Sequence, residues 1–152
     1  MKNTAKILLI WFLLGIVYYA LEGIWRIPDG GYANITMLAV GGLCGLAVGS
    51  INQVPRFYNM KIIYQASIGA AITLLIEFIS GVVLNIWLGL AIWDYSHLPL
   101  NICGQICLPY ALLWLAIMPF AIWFEDKIRY LVFKEGVDYS LKQIYYEFFT
   151  FM

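Results

Sequence analysis

The sequence predicts an all-α membrane protein: a bundle of four transmembrane helices followed by a C-terminal amphipathic helix in the membrane interface. Three observations carry this expectation. Of the 152 residues, 63% are hydrophobic and 12% charged, against about 45–50% and about 25% in soluble domains. A soluble chain of this length cannot bury that much apolar surface. Apolar runs of spanning length recur along the chain, and the cations sort to one side of them.

The first run is Ile7 to Trp25, 19 residues interrupted only by Glu22, and as a helix it covers about 28 Å of a roughly 30 Å hydrocarbon core. It exceeds the ~7–15-residue apolar region of a signal peptide, and no clean small-x-small cleavage site follows, so an uncleaved span is expected. A turn-rich loop, Arg26 to Asn34, leads to the second span, 35–51, and a polar loop with Pro55, Arg56 and Lys61 leads to the third, 62–90. That stretch is about 43 Å long as a helix, too long to stand upright, so it must tilt, bend near Gly81 or emerge before Leu90. After the connection Trp93–Asn101 the fourth span covers 103–124. Residues 1–124 then form the membrane domain and 125–152 a cytoplasmic amphipathic tail.

With four spans, Lys2, Lys6, Arg56, Lys61, Lys127, Arg129, Lys134 and Lys142 share one side, and only Arg26 lies on the other. The positive-inside rule then puts both termini in the cytoplasm of the cell membrane. Tryptophans prefer the membrane–water boundaries, and Trp25, Trp87, Trp93, Trp11 and Trp123 all fall near predicted ones. Trp114 alone sits mid-span. In the tail, Val137, Leu141, Ile144, Tyr145, Phe148 and Phe149 recur at helical spacing, with Asp138 or Ser140 as N-cap.

A net charge of zero argues against a nucleic-acid partner. The three cysteines (Cys44, Cys103, Cys107) are odd in number and form no Cys-x-x-Cys pair, so neither a disulfide framework nor a zinc motif is expected. With one histidine, His97, a histidine-rich metal site is excluded. No nucleotide-binding or hydrolase motif occurs. The expected surroundings are the lipid bilayer and either a second copy or a partner subunit, with no cofactor.

Polar residues inside apolar runs mark candidate sites, because a carboxylate at the membrane centre costs a few kcal/mol unless protein or water receives it. Glu22 lies near the outer end of the first span and Glu77 inside the third. No Lys or Arg lies within a span, so the expected partners of Glu77 are neutral: Ser80, Thr73, Asn85, Gln65, a tyrosine or water. Asp94, Ser96 and His97 sit in the third connection, where Asp94 and Ser96 suit an Asx-turn and Asn101 is placed to cap the fourth helix. Glu22, Glu77, Asp94, Ser96, His97 and Asn101 are therefore the candidate ligand or ion pocket, and no residue is assigned a catalytic or metal role. Gly41, Gly45 and Gly49, spaced by four, make a flat face for close helix packing, either within the chain or against a second copy. Pro119, inside the fourth span, should kink it and free a carbonyl near Leu115.

Trp93-Asp94-Tyr95-Ser96-x-x-Pro99-x-Asn101-x-x-Gly104-x-Ile106-x-Leu108, followed by Trp114, resembles the signature of the putative ABC-transporter type IV (CmpB-like) family of small multi-pass membrane proteins. Ala20-Leu-Glu-Gly-Ile-Trp25 and Leu75-Ile-Glu77-Phe-Ile-Ser-Gly81 extend the likeness, which covers roughly Trp11 to Trp123. Gln105 departs from the pattern, standing where relatives often carry arginine. The resemblance implies a transport role and carries over no catalytic residue. Three function classes follow: a transport-related membrane subunit, an intramembrane enzyme acting on lipid or peptide, and a structural or accessory membrane protein.

Overall fold

The computed structural model describes residues 3–150. Among them the chain is helical, with one isolated antiparallel bridge, Ile102 to Ile106, and no strand. Helix α1 (Asn3–Arg26) ends in a short 3₁₀ turn at Ile27–Asp29, and α2 runs Thr36–Asn52. A single turn, α3 (Pro55–Tyr58), precedes α4 (Ile62–Gly81), which continues as a π-helical turn over Val82–Trp87. Then come α5 (Leu108–Ile128), continued by a π-helical turn at Arg129–Phe133, and α6 (Leu141–Thr150). Three of these helices are long and apolar enough to cross a membrane: Thr4–Arg26, Ile62–Trp87 and Leu108–Phe133. Helix α2 is apolar but shorter, 17 residues.

Local signals set the boundaries. Asn34 Oδ1 accepts the Thr36 N–H (3.0 Å) and starts α2, as N-capping side chains do. Pro55 and Pro109 sit in the first turns of α3 and α5, where no intrahelical donor is lost. Ser140 Oγ accepts the Gln143 N–H at the start of α6. The third span changes hydrogen-bonding pattern directly after Gly81 and ends at Trp87, before Leu90, which relieves the length excess. The helix expected from 103 starts at Leu108, because Cys103 and Gly104 take left-handed backbone conformations (φ 52° and 67°) that no helix accommodates. It also runs past 124 to Phe133, so the charged residues from Glu125 onward continue the helix.

The fold divides into two compact units, 1–47 and 48–152. In the first, α1 packs on α2 around Ile10, Leu14, Met37, Val40 and Cys44. A Cβ at Gly41 would overlap the Tyr18 ring, and one at Gly45 would fall 2.5 Å from Leu14 Cδ1. The third glycine of the series does something else. Within the second unit, a Cβ at Gly49 would meet the Glu125 carboxylate at 2.5 Å.

The second unit is organised by α4, α5 and α6. Ala66, Gly69, Ala70 and Thr73 make a small-residue stripe on α4, and Gly69 lies against Met118 of α5. Such stripes let helix backbones approach closely. Val48, Ile62, Ala66, Ala70, Met118, Ile122, Ile144 and Phe148 form the buried cluster. The sequence suggests that α6 lies flat in the interface. In the structure α6 runs antiparallel to α5: Trp123 Nε1 donates to the Tyr139 carbonyl (3.0 Å), and Tyr145 Oη donates to the Ala116 carbonyl (3.1 Å). Ala116 neighbours Leu115, whose carbonyl lacks a helical donor because residue 119 is proline. Leu75, Ile79, Leu112 and Phe12 stay exposed, as lipid-facing residues do.

Gly41→Leu overpacks α1 against α2 and should cost about 1–3 kcal/mol, read as a lower melting temperature of the detergent-solubilised protein. Leu43→Ile, on an exposed position of the same helix, should leave it unchanged.

Candidate functional site

Polar groups collect at both ends of the second unit. At the Trp87 end, Trp114 Nε1 donates to Glu77 Oε2 at 2.8 Å. Glu77 is buried on the α5-facing side of α4, and the indole is a neutral donor that needs no desolvated cation. The signal for this pair was in the sequence: Trp114 is the one tryptophan away from a membrane boundary, and its only polar atom is a donor.

Beyond α4, residues 88–107 are wound into a loop held by side-chain-to-backbone bonds. Asn85 joins it to the helix: its Oδ1 accepts the Ile92 N–H (2.7 Å) and its Nδ2 donates to Gln105 Oε1 (2.8 Å). Gln105, 5% exposed, donates through Nε2 to the Cys103 carbonyl (2.9 Å), and its own carbonyl accepts Trp93 Nε1 (3.0 Å). A Cβ on Gly81 would overlap Gln105 Oε1, so this departure from the family pattern is a fitted part of the loop. An amide suits the place because it gives and accepts together, which a guanidinium cannot do.

Asp94 closes an Asx-turn: its Oδ1 accepts the Ser96 N–H (2.9 Å) and the Ser96 hydroxyl (2.5 Å). These two bonds, with His97 adding a smaller attraction, hold the exposed carboxyl below the usual carboxylate range. Gly104 lies against the turn with φ 67°, and a Cβ there would come within 2.6 Å of both Asp94 Oδ1 and Ser96 Oγ. Asn101 does not cap α5. Its Nδ2 donates to the carbonyls of Ser96 (3.1 Å) and Leu98 (2.9 Å), and its Oδ1 accepts the Gly104 N–H (3.2 Å). Cys107 occupies the cap position without a side-chain bond. Tyr95 stacks on Tyr110 at 4.5 Å between centroids.

The structure thus brings Asp94, Ser96 and Asn101 into one knot, with His97 exposed beside it. Glu77 has its own partner in Trp114. Glu22, in the first unit, is bound by Arg26 Nε at 2.7 Å, one helical turn on. Three non-glycine residues of the loop, Ala91, Leu100 and Cys103, have positive φ, a strain of the kind that clusters at functional sites.

The Phe133 end carries a second network that the sequence does not announce. Asn52, 2% exposed at the end of α2, donates through Nδ2 to Asp126 Oδ1 (2.9 Å). Asp126 Oδ2 accepts the Tyr139 hydroxyl at 2.6 Å. Burial first, and then Asp126, push the Tyr139 phenol well above its ordinary range, so it remains a donor. The neighbouring Glu125, 1% exposed, is paired with Arg129, which also lies 3.6 Å from Glu135. Lys127 pairs with Asp138. The charge-rich stretch reads as a solvated tail because its helical period is visible and its long-range partner, Asn52, is 74 residues away. Among the described residues no three His, Cys, Asp or Glu side chains are grouped to hold a metal ion.

A chain whose described residues are helical, with three apolar helices of spanning length, is a multi-pass membrane protein. The comparison with protein families goes further. Residues 9–151 match the family described as Putative ABC-transporter type IV, which is nearly the whole chain, and the chain belongs to that family. The matched region includes α6 and the Tyr139 segment, so the C-terminal part is integral to the family's chain. No curated protein and no solved structure gives a significant match.

Trp114→Phe removes the donor to Glu77 and should cost about 1–3 kcal/mol in thermal unfolding. Glu77→Gln keeps an accepting oxygen and should cost less than Trp114→Phe. For Asp94, whose folded value is lowered, the stabilisation is complete above about pH 4 and is lost as pH falls through the folded value. Near-UV circular dichroism of the Tyr95–Tyr110 stack should therefore weaken in acid, and Ser96→Ala should move that transition to higher pH.

Proposed function

We propose that this chain is a membrane subunit of a multi-component transport system. The observation that carries the reading is the Glu77–Trp114 pair, a carboxylate bound by a neutral donor inside a span, beside a loop fixed by hydrogen bonds on the same side of the bundle. In this reading α1, α2, α4 with its π turn, and α5 with its own make four spans. Both termini lie in the cytoplasm, where eight of nine cations collect. Asp94, Ser96, His97 and Asn101 then contribute to an outward-facing polar surface that meets solute, Glu77 lies buried against α5, and Glu22 marks the outer end of α1.

Membership of an ABC-transporter-type family supports partner subunits, and the lack of any phosphate-binding glycine motif in the sequence assigns nucleotide hydrolysis to one of them. The chain purified intact from its native membranes in lipid nanodiscs should therefore co-elute with ATP hydrolysis above a mock purification. Elution as the chain alone, without ATP turnover, would overturn the proposal.

A further inference from the structure

The Asn52–Asp126–Tyr139 network leaves an acceptor over. Asp126 as a carboxylate can only accept, so the Asn52 amide turns its N–H₂ toward it, which leaves the amide oxygen uncommitted. Among the described residues no donor reaches Asn52 Oδ1, and the atom is buried. A buried carbonyl oxygen without a donor is costly, and this one stands beside a carboxylate.

The local charge is also uneven. Glu125 is matched by Arg129 and Asp138 by Lys127, with Glu135 near Arg129 at a half-exposed position. Among the described residues the hydrogen-bond donors to Asp126 are neutral, the Asn52 amide and the Tyr139 phenol, and Arg129 adds a weaker charge attraction. Asn52 is the last residue of α2, so the negative end of that helix dipole, with its last carbonyls, lies at the same place. A partly buried carboxylate, an orphaned amide oxygen and a helix carboxyl end are all hard oxygen donors with one net negative charge between them. That set matches a monovalent alkali cation. Among the described residues Glu125 Oε2 meets no donor either, but Arg129 balances that residue's charge through Oε1, so a divalent ion lacks a second uncompensated carboxylate.

We propose that Asn52 Oδ1 and Asp126, at the carboxyl end of α2, bind a monovalent alkali cation of the Na⁺ or K⁺ type. Asp126 supplies charge, Asn52 supplies a neutral oxygen, and Tyr139 steadies the carboxylate from its other oxygen. The cation would join α2, α5 and the segment before α6 through one shared centre.

The test is the melting temperature of the full-length protein in nanodiscs, in NaCl, KCl and choline chloride at equal ionic strength. Binding raises the wild-type value in NaCl or KCl by about 3 °C or more over choline, by mass action on the folded state. Asp126→Asn should abolish the difference between salts. Tyr139→Phe removes a donor while leaving both proposed ligands, so it should lower the melting temperature in choline and retain the alkali-cation rise. A wild type with one melting temperature in all three salts overturns the proposal. So does a value that follows pH but not the cation, which would make the site a protonation site. If Asp126→Asn does not fold, sodium NMR line broadening by wild type, competed by K⁺ and not by choline, supports binding, and its absence overturns it.

Discussion

A bilayer interior supplies no hydrogen bonds, so each polar group carried inward on a helix must be answered by another group of the protein. Most of the second unit follows from that constraint. Glu77 enters the α4–α5 contact because Trp114 offers an N–H there. The small-residue stripe Ala66–Gly69–Ala70–Thr73 brings the two helices close enough for the bond to form. The loop after Trp87 obeys the same rule by other means. It has left helical geometry, so its backbone groups are satisfied by Asn85, Asp94, Asn101 and Gln105.

Membrane character, helical class and three of the span regions were legible in the sequence because they rest on composition and on local periodicity. For the third stretch, length alone admits tilt, a bend near Gly81 or an end before Leu90, and the structure shows a change of helix type after Gly81 and an end at Trp87. The Asp94 turn was readable because Asx-turns are set by neighbours two residues apart. Asn101 was readable only as a polar residue near a helix start. Its carbonyl and amide were equally able to cap α5 or to bind the loop, and the left-handed conformations of Leu100, Cys103 and Gly104 decide in favour of the loop.

Long-range pairings were the part that sequence pattern could not supply. Asn52 reads as a loop residue at the end of an apolar run, and Glu125 and Asp126 read as the start of a charged tail. Only the docking of residues 48–52 on α5 turns them into a buried cluster, with Gly49 leaving room for the Glu125 carboxylate. The glycine series is instructive here. Its regular spacing suggests one face for one partner, yet Gly41 and Gly45 accommodate Tyr18 and Leu14, while Gly49 accommodates a carboxylate. Equal spacing fixes which residues share a helix face, and says nothing of how many neighbours that face meets.

The two polar ends of the second unit differ in a way that bears on function. At the Trp87 end, side chains bind backbone within a short stretch of chain, so the loop is stiff by itself and can present Asp94 and His97 without help from distant segments. At the Phe133 end, side chains bind side chains across long sequence separations, from Asn52 to Asp126 and from Asp126 to Tyr139. A network of that kind forms only when three segments are docked at once, so anything that perturbs its charge loosens all three together. Rigidity at one end is therefore local to the loop, and at the other it depends on the docking of three segments.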